Sequence, residues 1–180
     1  MDEKNPLGVD HVLGMDETGG PLEPWIVRGA IEEVEKFLVG HSSKARVFEY
    51  GSGSGTPWLC ERSKFVDSVE HNTSWGDRVA SYLHKEGICN HRMLYAKLDE
   101  RYYRAIEHFN YDLVLVDGRL RVRCIESAVN HVNPGGMLVL DNSERSYYQS
   151  GIDLLDSLGW IRKNYENSLW KTTIWRNHEG

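Results

Sequence analysis

The sequence predicts an α/β fold: a seven-stranded, mostly parallel sheet with helices on both faces and an antiparallel last strand. Three observations carry this reading. Strand-like and helix-like segments alternate from Ala45 onward. The runs Leu113-Val114-Leu115-Val116 and Met137-Leu138-Val139-Leu140 are apolar without interruption, as suits strands buried on both sides. Only Glu166-Asn167-Ser168 separates the last two strand-like segments, and so short a turn joins antiparallel neighbours.

Residues 1–24 are rich in Gly, Pro and acidic residues and lack periodicity; they read as an N-terminal arm ahead of a single domain spanning 25–180. Ile26, Ala30, Val34, Phe37 and Leu38 recur at helical spacing, and Gly40 ends that helix. The first strand covers 45–50. It runs into three glycines spaced by two, Gly51, Gly53 and Gly55, then Thr56-Pro57. Glycine allows close approach of another molecule to the backbone, and proline suits the first turn of a helix. A strand, a tight turn and a helix N-terminus follow, with free N–H groups suited to a polar or anionic ligand.

The second strand covers 64–69 and ends at Glu70-His71. A helix over 74–85 presents Val79, Tyr82 and Leu83 on one side and stops at Gly87. Residues 92–96 form a weaker strand and 102–109 a short helix. The clearest buried strand is 111–116, ending at Asp117-Gly118. A helix over 121–132 is closed by Asn133-Pro134-Gly135-Gly136, and the strand 137–140 ends at Asp141-Asn142. A helix over 147–158, stopped by Gly159, precedes the final strands, 160–165 and 169–176.

The bulk properties exclude several classes. At 180 residues, the chain is long enough for one large core. A net charge of −6 and one short basic cluster, Arg119 to Arg123, argue against a nucleic-acid surface. Cys60, Cys89 and Cys124 fit neither a disulfide framework nor a zinc pattern, and read as inert thiols in a reducing compartment. The N-terminus is polar and no apolar run spans a membrane, so a cytoplasmic location is expected. Nothing in the sequence sets the oligomeric state.

The glycine pattern discriminates between nucleotide folds. The third glycine of G-x-G-x-x-G would fall at Thr56, which disfavours a nicotinamide oxidoreductase, and no lysine follows the loop as a P-loop requires. What fits is E-x-G-x-G-x-G, Glu49 to Gly55, with Glu70 ending the second strand. From about Ala45 to Arg176 the chain resembles the Rossmann-like class I S-adenosylmethionine-dependent methyltransferases. More narrowly, Val116 to Cys124, the stretch from Leu140 to Tyr147 or Tyr148, and Thr172 to Trp175 look like the V-D-G-R-x-R-x-x-C, L-D-N-S-x-R-x-x-Y and T-T-I-[FW] motifs of small methyltransferase-like proteins.

The resemblance implies S-adenosylmethionine as cofactor. Gly51, Gly53 and Gly55 would pass under its methionine part, with Ser52 and Ser54 as donors and Glu49 near its amine. Glu70 would accept from both ribose hydroxyls, which a carboxylate can do at once. His71 or Trp75 would cover the adenine, although core packing explains Trp75 equally well, and Asp99 or Glu100 would meet the adenine amine. Asp117, Asp141 and Asn142 fall at the carboxyl ends of strands, where open α/β sheets bind ligands. The same three positions resemble the divalent-cation site of catechol and caffeoyl-coenzyme A O-methyltransferases. Arg119 competes with that reading, since it can pair with these acids or hold a substrate carboxylate. Candidate bases are Asp117, Asp141 or His11. The expected function is methylation of a small molecule, at oxygen rather than nitrogen; the alternative is a non-catalytic cofactor-binding regulator or accessory protein.

Overall fold

The computed structural model describes residues 22–178. The segment 1–21, which includes His11 and most of the expected arm, lies outside the described residues. The elements run α1 (Arg28–Gly40), β1 (Arg46–Tyr50), α2 (Gly55–Arg62), β2 (Phe65–Glu70), α3 (Thr73–Lys85), β3 (His91–Tyr95), α4 (Glu100–Tyr103), β4 (Tyr111–Val116), α5 (Arg121–Ala128), β5 (Val132–Leu140), α6 (Gln149–Ser157), β6 (Ile161–Glu166) and β7 (Lys171–Arg176). Single 3-10 turns stand at Ala105–His108 and Ser146–Tyr148.

The seven strands form one sheet in the order β3-β2-β1-β4-β5-β7-β6. Pairs from β3 across to β5 are parallel. β7 inserts between β5 and β6 and runs antiparallel to both, so it alone opposes the sheet, as the short turn after β6 requires. Alternation along each strand builds two cores. Val47, Val66, Leu113 and Val139 face α1, α2 and α3, with Leu38, Trp58 and Leu83. Phe48, Val69, Val114 and Leu138 face α4, α5 and α6, with Tyr102, Ile125 and Leu155. All five apolar positions expected on α1 or just before it are buried.

Two segments differ from expectation. The stretch 102–109 is not one helix but α4, capped by the Asp99 carboxylate accepting from Arg101 N–H, followed by a 3-10 turn. The helix expected to reach 132 stops at Ala128, and β5 begins at Val132, taking in Asn133 to Gly136. Pro134 has no N–H to donate to a ladder. The strand tolerates it because the β4–β5 register shifts between Tyr111 and Leu113, while Asn133 Nδ2 donates to Asp112 Oδ1 at 2.8 Å.

Candidate functional site

β1 and β4 are neighbours, but the helices after them cover opposite faces of the sheet: α2 packs in the first core and α5 in the second. The crevice at such a switch point is where α/β folds bind ligands. Here the loops leaving β1 and β4 meet backbone to backbone. Gly51 has φ +89°, and a Cβ built on it would lie 2.7 Å from Gly118 Cα; a Cβ on Gly118 would lie 2.8 Å from Tyr50 O. Neither position admits a side chain.

Next to this contact, Glu70 ends β2 almost fully buried. Its Oε2 accepts from Ser52 N–H at 3.1 Å and Ser52 Oγ at 3.3 Å. Its Oε1 accepts from the N–H groups of His71 and Asn72, both at 2.8 Å, and lies 2.9 Å from His71 Nδ1. The carboxylate therefore organises the turn after β1 and the turn before α3 together. Trp75 closes that corner, with Nε1 donating to Ser52 O at 2.7 Å while its ring also packs on the first core.

Glu49 sits behind the loop rather than on the cleft wall. Its Oε2 accepts from Thr56 Oγ1 and Ser68 Oγ, both at 2.7 Å, and Thr56 Oγ1 accepts in turn from Gly53 N–H. Burial pushes the Glu49 carboxyl up to about 8, against the two hydroxyl bonds. Gly55 packs under Pro24, and Ser54 Oγ donates to Glu23 O, so the end of the expected arm lies on this loop.

At the other side of the crevice, Arg121 gathers the ends of β4 and β5. Leu120 adopts the left-handed conformation, φ 52°, just before α5. The buried Arg121 guanidinium then donates to Asp117 O, to Asp117 Oδ1 at 3.0 Å, to Asp141 O at 2.5 Å and to Asn142 Oδ1 at 3.4 Å. Asp141 is buried and accepts from Thr172 Oγ1 at 2.7 Å. Burial, and then the Asp117 carboxylate, pushes Asp141 up to about 7. Enclosure raises Asp117 as well, but a third of its side chain stays open to the cleft and water limits the rise.

The cleft itself measures about 900 Å³ and spans the carboxyl ends from β2 to β5. Over β2 and β1 it is lined by Glu70, His71, Trp75, Gly51 and Ser52; over β4 and β5 by Asp117, Asn142 and residues of 118–123 and 145–148, with Trp25 on the wall. Of the expected site residues, Gly51, Ser52, Glu70, His71, Asp117 and Asn142 line it; Glu49, Gly53, Gly55 and Asp141 do not. Asp99 and Glu100 are in exposed ion pairs with Arg101 and Arg104 and do not line it. The residues present do not fit a divalent cation. A guanidinium already lies among Asp117, Asp141 and Asn142, and the described residues contain no cluster of three or more His, Cys, Asp or Glu able to hold one. The arginine that does this is Arg121, not Arg119 as expected. The signal for it was present: Arg121 stands four residues after Asp117, the spacing of a helical ion pair.

The sheet order, the antiparallel β7 and the crevice at β1 and β4 define the fold of the class I S-adenosylmethionine-dependent methyltransferases. Solved structures with this fold align along most of the chain. A Staphylococcus aureus protein assigned as a caffeoyl-CoA O-methyltransferase superposes with TM-score 0.67 at 13% identity, covering 86% of each chain. An rRNA methylase from Streptococcus thermophilus gives 0.64 at 15% identity, over 83% of this chain and 96% of that one. A protein from Streptococcus mutans assigned as a methyltransferase, in complex with SAH, gives 0.62 at 13% identity, over 81% and 97%. No protein-family model matches the sequence, and no curated protein matches it.

Proposed function

We propose that this chain is an S-adenosylmethionine-dependent methyltransferase acting at an oxygen of a small molecule. The observation that carries the proposal is the Glu70 carboxylate, held at the end of β2 by the turn that follows β1 and lining the cleft beside Gly51. Such a carboxylate can accept from two vicinal hydroxyls, and the side-chain-free Gly51 admits a ligand close to the backbone. When bound, the cofactor supplies an electrophilic methyl group on a sulfonium. The protein's tasks are then to align the acceptor and to manage its proton. Asp117 lines the β4–β5 half of the cleft, fixed by Arg121, and in this proposal it takes that proton. The Asp141 carbonyl and Asn142 Oδ1 accept from Arg121, and Arg121 in turn holds Asp117.

The cleft continues past Glu70 to β5, which favours turnover over a binding protein without an acceptor site. The net charge of −6 favours a small acceptor over nucleic acid. The free cysteines Cys60, Cys89 and Cys124 support a cytoplasmic setting; no helix among the described residues is long and apolar enough to cross a membrane. Calorimetry with S-adenosylmethionine and S-adenosylhomocysteine tests the proposal: both bind if it is right, and binding of neither refutes it.

A further inference from the structure

The two halves of the cleft differ in charge. Over β2 and β1 the charged lining is Glu70. Over β4 and β5 it is Asp117 with four arginines, Arg119, Arg121, Arg123 and Arg145. This cationic wall belongs to a chain with net charge −6, so it is a local feature and not an effect of composition. Arg121 is committed to Asp117 and the strand-end carbonyls, and Arg123 pairs with Glu126 at 2.9 Å. Arg145 is held differently. Among the described residues its nearest carboxylate is Glu144, with Oε1 3.7 Å away while Oε2 accepts from Lys171 N–H; its hydrogen bond is to the Tyr147 hydroxyl at 3.0 Å. A half-exposed guanidinium on the cleft wall lies beside the exposed Tyr147, whose ring packs edge-on against the buried Tyr148. Its planar fork matches a carboxylate or phosphate, and the Tyr147 ring suits an apolar body.

We infer that the methyl acceptor is a small anionic molecule, whose carboxylate or phosphate is held by Arg145 while an aromatic or apolar body packs on Tyr147. This rests on the methyltransferase reading and adds the substrate class to it. Asp117 then lies on the acceptor's reacting side and Arg145 on its anchored side, so the anion sets which oxygen meets the methyl group.

The test uses the full chain saturated with S-adenosylhomocysteine at low ionic strength, titrated calorimetrically with benzoate, its neutral isostere benzamide, and inorganic phosphate. Benzoate, phosphate or both should bind, and benzamide should not; whichever anion binds tighter assigns the group. Arg145→Met should weaken anion binding by about tenfold or more, the worth of one charge-assisted bond, with S-adenosylhomocysteine affinity unchanged. Arg145→Lys, which keeps the charge and loses the fork, should fall between. Anion affinity unchanged in Arg145→Met, equal binding of benzoate and benzamide, or no anion binding by the S-adenosylhomocysteine complex each overturns the inference and leaves the methyltransferase reading standing. Failure of S-adenosylhomocysteine itself to bind overturns that reading, and the inference with it.

Discussion

Thr172 and Asp141 are 31 residues apart in sequence, yet the threonine hydroxyl donates to the aspartate carboxylate at 2.7 Å in the buried interior. The same hydroxyl accepts from Val27 N–H at 3.0 Å. One oxygen thus joins the entrance to α1, the first residues of β7 and the end of β5. Thr172→Val keeps the shape and removes both bonds, leaving a buried donor and a buried acceptor unpaired. Urea unfolding should show a loss of about 2–5 kcal/mol. Thr172→Ser should recover most of it.

Glu70 joins two turns, so its replacement acts on binding and on folding. Glu70→Ala should lower S-adenosylhomocysteine affinity by about tenfold or more, from the loss of charge-assisted bonds to the ligand. Glu70→Gln keeps the volume and one carbonyl acceptor, and should lose less stability than Glu70→Ala. Calorimetry and thermal unfolding of the two variants separate the effects. Equal cofactor affinity in wild type and Glu70→Ala would remove Glu70 from the binding site.

The glycines of the β1 loop are not equivalent. Gly51→Ala places a methyl group 2.7 Å from Gly118 Cα at a positive φ, and should cost about 1–3 kcal/mol. Gly53→Ala meets nothing within 4 Å and should change stability by no more than about 0.5 kcal/mol. Chemical denaturation of both proteins is the check.

Stability should fall as pH rises. Glu49 has a folded-state value of about 8 against an ordinary 4.5, so the native protein holds this proton more tightly than the unfolded chain. Its contribution is complete below about 4.5 and is lost as pH climbs through 8. Asp141, at about 7, acts in the same direction. Glu49→Gln stays neutral and can still accept from Thr56 and Ser68, so it should flatten the decline, by an amount on the order of a few kcal/mol at alkaline pH. Urea titrations from pH 6 to pH 9, compared between wild type and variant, measure this; parallel curves would count against a buried neutral Glu49.

Arg121 occupies the position a cation would need, so millimolar magnesium or manganese should leave the thermal midpoint unchanged. Arg121→Met should destabilise by about 3–5 kcal/mol, because it strands Asp117 and the carbonyls of Asp117 and Asp141 without their donor. A midpoint raised by metal in the wild-type protein would reverse the assignment.

Much of the fold was readable because burial on both faces writes itself into composition: 113–116 and 137–140 are apolar throughout, and their partners alternate with amphipathic helices. The glycine turn and Glu70 were readable because few residues suit a backbone approach or a strand-end acid. The reading failed where local signals were overridden from a distance. Asn133-Pro134-Gly135-Gly136 looks like a break, yet a shifted register and the Asp112 side chain carry it into β5. Glu49 could not be placed behind the loop without knowing that Thr56 and Ser68 converge on it from α2 and β2. Arg121 stands at helical spacing from Asp117, but Asp117 lies outside α5; the left-handed Leu120 that turns the chain back toward Asp117 is what brings the guanidinium there, and spacing does not announce it.

The contact between Gly51 and Gly118 also bears on how this cleft can be redesigned. Its floor is backbone against backbone, with no side chain to exchange, so its width cannot be tuned by substitution there. A protein engineer seeking a new acceptor would leave the floor untouched and randomise the rim, at Arg123, Arg145 and Tyr147, which end in exposed, exchangeable side chains. Libraries that include either glycine should return destabilised clones, and those confined to the rim should return proteins of near wild-type stability with altered acceptor choice.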